Sequence, residues 1–296
     1  MTTKMRRSIF LLVSLLLFAH SESGFAQDES EKPYSITYSS QMAEVGSLDI
    51  QNDTVTGRPE GGNRFFGNAT EFEYGIIQWW TTELYLDWQH TNHEGSLFTG
   101  FRFENRFRLL AGDHRLKPVL YVEYEHLNGA DKTLREIVGF DGIKDLIVPN
   151  SVAREERKHE IEVRLILSGE FKSWDLSGNF ITEKNIHGEP WEFGYAMGLS
   201  RPLAAATGRK CAWCREAFAA GVEMYGGLGT WNDFTVHGTS QYLAPVLSWT
   251  LPSHTTFGLS PGIGLTDQSV GTLFRFSVAQ EIDDFGRLFM KPFQRH

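Results

Sequence analysis

Residues Ser96–Leu110 read SLFTGFRFENRFRLL. Leu97, Phe101, Phe103, Phe107 and Leu109 share one parity, whereas Arg102, Glu104, Arg106 and Arg108 share the other. Alternate side chains of a strand point to opposite faces, so one face here is apolar and aromatic and the other carries four charges. A soluble domain would bury the apolar face and leave the charges in water. A transmembrane β-barrel gives the apolar face to lipid and the charges to its lumen.

The same rhythm recurs along the chain. Phe72, Tyr74 and Ile76 oppose Glu71, Glu73 and Gly75. After a tight turn at Ile77-Gln78-Trp79, Leu84, Leu86 and Trp88 oppose Glu83, Tyr85, Asp87 and Gln89. Further on, Leu120, Val122 and Tyr124 oppose Tyr121, Glu123 and Glu125, and Ile161, Val163, Leu165 and Leu167 oppose Glu160, Glu162 and Arg164. Trp174, Leu176 and Phe180, then Trp191, Phe193, Tyr195, Met197 and Leu199, continue the pattern. The C-terminal third alternates less regularly, with strands read at 215–226, 239–250, 255–264 and 271–281. A first strand is placed near 34–44, which brings the total to about twelve. Charge repeated on one face, with large aromatics on the other, selects a barrel over a sandwich or a lipocalin, whose lumen would be apolar.

The N-terminus has the build of a secretory signal. Lys4, Arg6 and Arg7 precede an apolar core over Ile9–Ala19, and Gly24-Phe25-Ala26 supplies small residues for cleavage before Gln27. The apolar core is too short to span a bilayer as a helix, and no second stretch is long enough either. The domain reading is therefore a cleaved signal peptide at 1–26 and a single outer-membrane β-barrel at 27–296, with strands over about 34–281 and a short tail. The formal net charge is −9. Removing three bases and the acid Glu22 with the signal makes it more negative, and an acidic chain lacks the basic face of a nucleic-acid binder.

Loop lengths give an independent check. With the N-terminus in the periplasm, the turns near 77–79, 110–115, 168–171 and 251–254 are short and periplasmic, and 45–67, 128–153 and 227–238 are long and external. This is the asymmetry of outer-membrane barrels. Two short outer loops (90–96 and 184–188) and a long inner connection (202–214) depart from it. Seven tryptophans, including Trp79, Trp80, Trp88 and Trp249, fall mostly near strand ends, where amphipathic rings meet the membrane interface. The all-β, single antiparallel barrel implies the lipid bilayer and the outer-membrane assembly machinery as partners. The chain ends on His296, beyond Phe285, Phe289 and Phe293, so either a tail follows the last strand or that strand is misplaced.

Signal peptide, alternating strands and the phrase Glu71-Phe-Glu-Tyr-Gly-Ile-Ile-Gln-Trp79 resemble Gram-negative outer-membrane β-barrels. The Glu-Tyr-Gly hairpin is similar to the MetA-type (phenol-degradation) outer-membrane transporters. That resemblance implies a porin-like transport protein in the outer membrane.

The lumen charges are Glu83, Asp87, Arg102, Glu104, Arg106, Arg108, Glu123, Glu125, Glu160, Glu162 and Arg164. A symmetric 110–115 turn sets Arg102 near Glu123, with Glu83 near Arg102 from the other side to within about two residues of register, an acid–base–acid ladder. Such a ladder either lines a selective pore for small solutes or fills a narrow, non-conducting lumen. The segment 128–153 carries Leu134, Ile137, Val138, Phe140, Ile143, Leu146, Ile147 and Val148, too apolar for an exposed loop. It either folds back into the mouth or packs on the rim.

Cys211-Ala-Trp-Cys214 meets an oxidising compartment and reads as a local disulfide, since zinc would need two more ligands and residue 215 is Arg rather than the His of a haem motif. His90, His93, His126, His159, His187 and His237 fall towards the outer rim. Of these, His90, His93 and His187, beside Glu94 and Glu189, are weak metal-ligand candidates, and metal uptake is a minor alternative. No His-x-Ser pair of barrel lipid hydrolases occurs; His237-Gly-Thr239 is the nearest approach. No enzyme and no cofactor is expected. The conclusion is an outer-membrane channel or transporter for small solutes that filters by charge, with a structural or adhesive barrel as the alternative.

Overall fold

The computed structural model describes residues 33–112, 114–204 and 211–286. The expected signal peptide lies outside the described residues, as does the chain beyond 286. Thirteen strands follow one another: β1 (Leu48–Gly57), β2 (Phe65–Ile77), β3 (Trp80–Thr91), β4 (Gly95–Arg108), β5 (Lys117–Asn128), β6 (Arg157–Phe171), β7 (Trp174–Asn185), β8 (Glu192–Pro202), β9 (Phe218–Thr230), β10 (Asp233–Phe234), β11 (Gln241–Thr250), β12 (Thr255–Gly264) and β13 (Thr272–Ile282). Two single-turn helices, α1 (Ile143–Leu146) and α2 (Asn150–Ala153), lie between β5 and β6. β10 is a two-residue extension of the β9 hairpin. The other twelve strands pair antiparallel with their neighbours, and β13 pairs with β1 to close the wall. Closure leaves no strand edge unpaired in lipid.

The period-2 reading holds around the wall. Leu84, Trp88, Phe103, Leu165, Leu176, Phe180, Phe274 and Phe276 are exposed on the outside, whereas Glu83, Asp87, Arg102, Glu162 and Arg164 are buried inside. Aromatics gather at both ends. Trp79, Trp80 and Phe107 stack at the periplasmic end, and Trp88 meets Phe98 edge-on near the outer end, 6.5 Å between ring centres. Trp249 stacks on Phe218 and Phe257 in the same fashion near the inner ends of β9 and β12.

Three expectations need correction. The first strand is not 34–44 but β1, and residues 34–44 run inside the lumen. The outer face of β1 is Leu48, Ile50, Asn52, Thr54 and Thr56, too polar to show alternation. Its amides are satisfied sideways: Asn52 Nδ2 donates to Asn68 Oδ1 and Asn68 Nδ2 to Asn52 Oδ1, at 3.1 and 2.9 Å. The outer loop at 45–67 accordingly shrinks to 58–64, and β9 extends into the loop expected at 227–238. Lastly, Leu97 leaves the face of Phe101. Asp87 pairs with Gly100 but Trp88 pairs with Phe98, so a bulge at Thr99 reverses the parity above it. Gly100 has φ 151°, and a Cβ there would lie 1.9 Å from the His126 carbonyl oxygen.

The lipid-facing assignment has a direct consequence. Phe103 sits midway between the two aromatic belts and is 47% exposed. Phe103→Arg should destabilise the barrel by about 2–4 kcal/mol, as a cation at the bilayer midplane does. Equilibrium urea unfolding in liposomes measures this; a core-facing Phe103 in a soluble fold would instead release the protein from the membrane fraction.

Candidate functional site

The site is the lumen, built by one parity of residues on twelve strands. On β4, Arg102 is 1% exposed. Its Nε donates to Asp87 Oδ2 at 2.8 Å, and its Nη1 donates to both oxygens of Glu136 at 2.9 Å and lies 3.1 Å from Glu125. Glu123 is 3.6 Å away. A guanidinium has five donors in a rigid plane and stays charged, which suits one cation shared among several buried carboxylates.

The expected ladder is present and extended: Arg102 is near Glu123, as expected, but stands directly opposite Glu125, and Glu83, two residues from the position opposite Arg102, contacts Arg106. The register of the 109–116 turn, rather than its midpoint, decides this. Arg106 contacts Glu73 and Glu83, lies 3.2 Å from Glu104, and donates to the Gln41 carbonyl. Arg164 binds Glu162 and lies over the rings of Tyr38 and Tyr121, 4.8 and 4.7 Å from their centres. Lys158 is 3.9 Å from Glu160. Arg108 faces inward at the periplasmic end of β4.

Register exposes a pattern that no single strand contains. Glu281 pairs with Asp49, Asp49 with Glu73, Glu73 with Glu83 and Glu83 with Glu104. Glu104 then pairs with Glu123, Glu123 with Glu162, Glu162 with Glu183 and Glu183 with Glu192. Nine carboxylates stand directly opposite one another on consecutive strands. Because barrel strands tilt, this line of partners climbs the wall, from Glu281 and Asp49 at the periplasmic end to Glu192 at the outer end. Like charges directly opposite repel. The arginines in the rows on either side offset that repulsion.

Two segments fill the space inside. From the periplasmic side, residues 33–47 hang their backbone on wall side chains. Glu223 accepts from the backbone N–H groups of Ile36 and Thr37 at 3.0 and 3.1 Å, and Asn179 Oδ1 accepts from Tyr38 N at 2.7 Å. From the outer side, residues 129–156 fold back into the mouth rather than onto the rim. Arg275 Nη2 donates to the Leu134 carbonyl at 2.6 Å, and Ser240 Oγ donates to the Asp141 carbonyl at 2.6 Å. Leu134, Ile137, Ile143 and Leu146 pack against Val55, Phe65, Tyr225, Tyr242 and Leu273. The lumen therefore has a charged half, on β2–β7, and an apolar half that receives the loop.

The two segments meet at Arg135. It donates to the Tyr38 hydroxyl and to Asp53 Oδ2, both at 2.9 Å, with its guanidinium 4.1 Å above the Tyr85 ring. A cavity of about 10 Å³ at this junction, bordered by Ser35, Thr133, Arg135 and Arg275, has room for about one water. The wall is glycine where the segments come closest. A Cβ on Gly67 would lie 2.0 Å from the Lys132 carbonyl oxygen, and one on Gly75 would lie 2.0 Å from that of Glu44. In the loop, burial raises the Asp141 pKa to about 6; Lys158 opposes this, and Asp145 and Glu136 add to it.

Sequence reasoning missed Tyr38, Arg135, Glu136, Glu183, Glu223 and Arg275. Glu183 shares the parity of Asp175, Ser177 and Asn179, a signal that could have found it. The rest depend on which loop and which terminus enter the barrel. Among the weak metal candidates, His187 approaches His159, whereas His90 pairs with Ser96 and His93 occupies the β3–β4 turn with φ 68°. Cys211 and Cys214 are joined as a disulfide in the β8–β9 connection, and Trp249 Nε1 donates to the intervening Ala212 carbonyl at 2.6 Å. Glu123, Glu125 and Glu136, and separately Glu125, Glu162 and Glu183, bring carboxylate oxygens close enough to share a cation.

No protein-family model and no curated sequence matches the chain. Solved structures do match its fold. The COG4313 outer membrane channel from Pseudomonas putida F1 superposes with TM-score 0.54 at 7% identity, over 86% of this chain and 100% of that one. A KdgM porin gives 0.44 at 7% identity over 79% and 98%, and the translocator domain of the autotransporter NalP from Neisseria meningitidis gives 0.42 at 13% over 80% and 89%. The chain has the fold of an outer-membrane β-barrel. At these identities the matches show the fold, not the MetA-type family.

Arg102 anchors the charged half, so its loss should be costly. Arg102→Met leaves Asp87, Glu125 and Glu136 without their shared cation and should lower stability by about 3–5 kcal/mol. Arg102→Lys, with one point charge in place of a fork, should fall between. Urea midpoints in liposomes give both values, and equal midpoints for Met and wild type would remove Arg102 from this role.

Proposed function

We propose that the chain is an outer-membrane channel for small solutes, closed at rest by two plugs and selective by charge when they move aside. The observation that carries this reading is the nature of the filling. The lumen is occupied by a terminal segment and one outer loop, each seated on wall side chains through a mixture of polar and apolar contacts, whereas the wall itself has a complete backbone ladder around its circumference. Moving either plug would leave the barrel closed on itself. What would then line the path is the climbing row of carboxylates, interleaved with Arg102, Arg106 and Arg164. Such a lining raises the local concentration of cations and opposes anions. The expected filter residues are Glu83, Asp87, Arg102, Glu104, Arg106, Arg108, Glu123 and Glu125. Insertion would proceed through the outer-membrane assembly machinery.

The apolar seating of the outer plug against Phe65, Tyr242 and Leu273 favours a second reading, a non-conducting structural barrel whose plugs are permanent. Planar-bilayer recording separates the two. Full-length protein should show small conductance. Deleting Thr133–Asn150, alone or together with Pro33–Glu44, should raise it severalfold, with a reversal potential that marks preference for cations. Gly67→Leu should act in the same direction by crowding the Lys132 backbone. Unchanged conductance in all three upholds the structural barrel.

Acidification should act on the outer plug. Asp141 holds its proton to about pH 6 in the seated loop, whereas a free aspartate loses it near 4. The seated state therefore binds the extra proton, and seating weakens as pH rises from about 4 to 6 and then levels off. Openings should be rarer at pH 4.5 than at pH 7, and Asp141→Asn should flatten that difference.

A further inference from the structure

We propose that His126, His159 and His187 form a binding site for a divalent transition-metal ion on the outer rim of the barrel. The site is independent of the channel reading, because it lies outside the wall rather than in the lumen. His126 on β5 and His159 on β6 are direct cross-strand partners. Both belong to the outward parity, since Glu125, Leu127 and Glu160 beside them are buried inside. Their rings meet edge-on, 4.5 Å between centres, and the two Nδ1 atoms are 3.2 Å apart. Two imidazole nitrogens bound to one ion at about 2.0–2.1 Å, with an angle between square-planar and tetrahedral, stand about 2.9–3.4 Å apart. The pair already has that separation.

Without an ion, the arrangement is oversubscribed. A ring nitrogen offers one lone pair or one N–H. Nδ1 of His159 faces both His126 Nδ1 and the Tyr124 hydroxyl, the latter at 2.9 Å. It can serve one of them well. A metal ion would take both nitrogen lone pairs and leave the Tyr124 hydroxyl to solvent. Neighbours also orient the rings: Phe101 stacks on His126, 5.3 Å between centres and 24° between planes.

A third imidazole stands beside the pair and would join it by turning its ring. His187 is exposed in the loop after β7, its ring centre 5.1 Å from that of His159. Its backbone N–H donates to Asn185 Oδ1 at 3.0 Å, which fixes its position while leaving the ring free to turn. Three imidazoles with no thiolate suit zinc, copper(II) or nickel(II) rather than calcium or magnesium. The ion would tie together β5, β6 and the loop leading to β8.

Untagged full-length barrel, refolded in detergent, tests this by titration with copper(II) and zinc chloride. The expected result is one equivalent of copper whose electron paramagnetic resonance spectrum shows two or three coordinated nitrogens. His126→Ala with His159→Ala should lose that equivalent, and His187→Ala should weaken it at least about tenfold. His90→Ala with His93→Ala should leave it intact. Heat-modifiable migration on a gel reports folding of each variant, and the milder His159→Gln serves if the double variant does not fold. Copper bound through a single nitrogen, no binding, or binding unchanged without His126 and His159 would overturn the assignment.

Discussion

Hydrocarbon outside the wall is the constraint on which this structure depends. Backbone groups facing lipid have no water to turn to, so the sheet must close on itself. Closure then fixes what each residue of every strand can be. One parity meets acyl chains and becomes leucine, phenylalanine and tryptophan. The other is enclosed, and in this chain it is ionic over half the circumference. Enclosed charges must be paired and hydrogen-bonded, because desolvation otherwise exceeds their attraction. Arginine meets that demand better than lysine would. Arg102 reaches Asp87, Glu125 and Glu136 from one plane, while Arg164 lies against Tyr38 and Tyr121 as it binds Glu162.

The row of directly opposed carboxylates follows from the same geometry. Strand tilt turns a line of partners into a climbing path, so residues near opposite ends of the barrel belong to one register line. The arginine row below it, through Arg106 and Arg164, and the row above it, through Arg102, follow the same incline. Charge in this lumen is therefore banded along the incline rather than ringed at one height. A solute crossing it would meet acidic groups at every level. This differs from a constriction that tests charge once.

Much of this could be read from the residues. The strongly alternating strands, from Glu71 to Arg201, declare both their existence and their faces, and with them the charged lumen. The first strand could not be read, because Asn52, Thr54, Asn68 and Thr70 make the outer face of β1 and β2 polar and satisfy one another across the hairpin. The C-terminal strands are muted for another reason. Pro245 and Pro261 interrupt β11 and β12, and Gly258, Gly262 and Gly264 leave Thr256 and Ser260 as the side chains on the inner face of β12. The segment 34–44 misleads because Tyr34, Ile36 and Tyr38 alternate as a strand would. Only the wall side chains that capture its N–H groups, Glu223 and Asn179, show that it pairs with no strand. Cross-strand groupings such as the carboxylate row and the histidine pair depend on register, which parity does not specify.

How firmly the plugs sit relative to the wall follows from what holds each. Every wall strand is bound on both sides by a backbone ladder, and removing one would expose unpaired amides to lipid. The plugs carry no such penalty. Residues 33–47 and the inner part of 129–156 make polar contacts with side chains, and water could replace those contacts in an opened lumen. The contacts that water could not replace are apolar: Ile137, Ile143 and Leu146 of the loop lie against Phe65, Tyr242 and Leu273, Ile36 of the terminal segment joins the same cluster, and Met42 packs with Val119, Tyr121 and Ile166. The outer loop therefore rests on the hydrophobic effect in one half of the barrel and on ion pairs in the other. The two halves respond to different conditions: the ion pairs of Arg102 and Arg164 with Glu136 to pH and salt, the apolar contacts to neither in the same degree. On the proposed channel reading, release of the loop would begin at the Glu136 side, with the apolar side as the hinge.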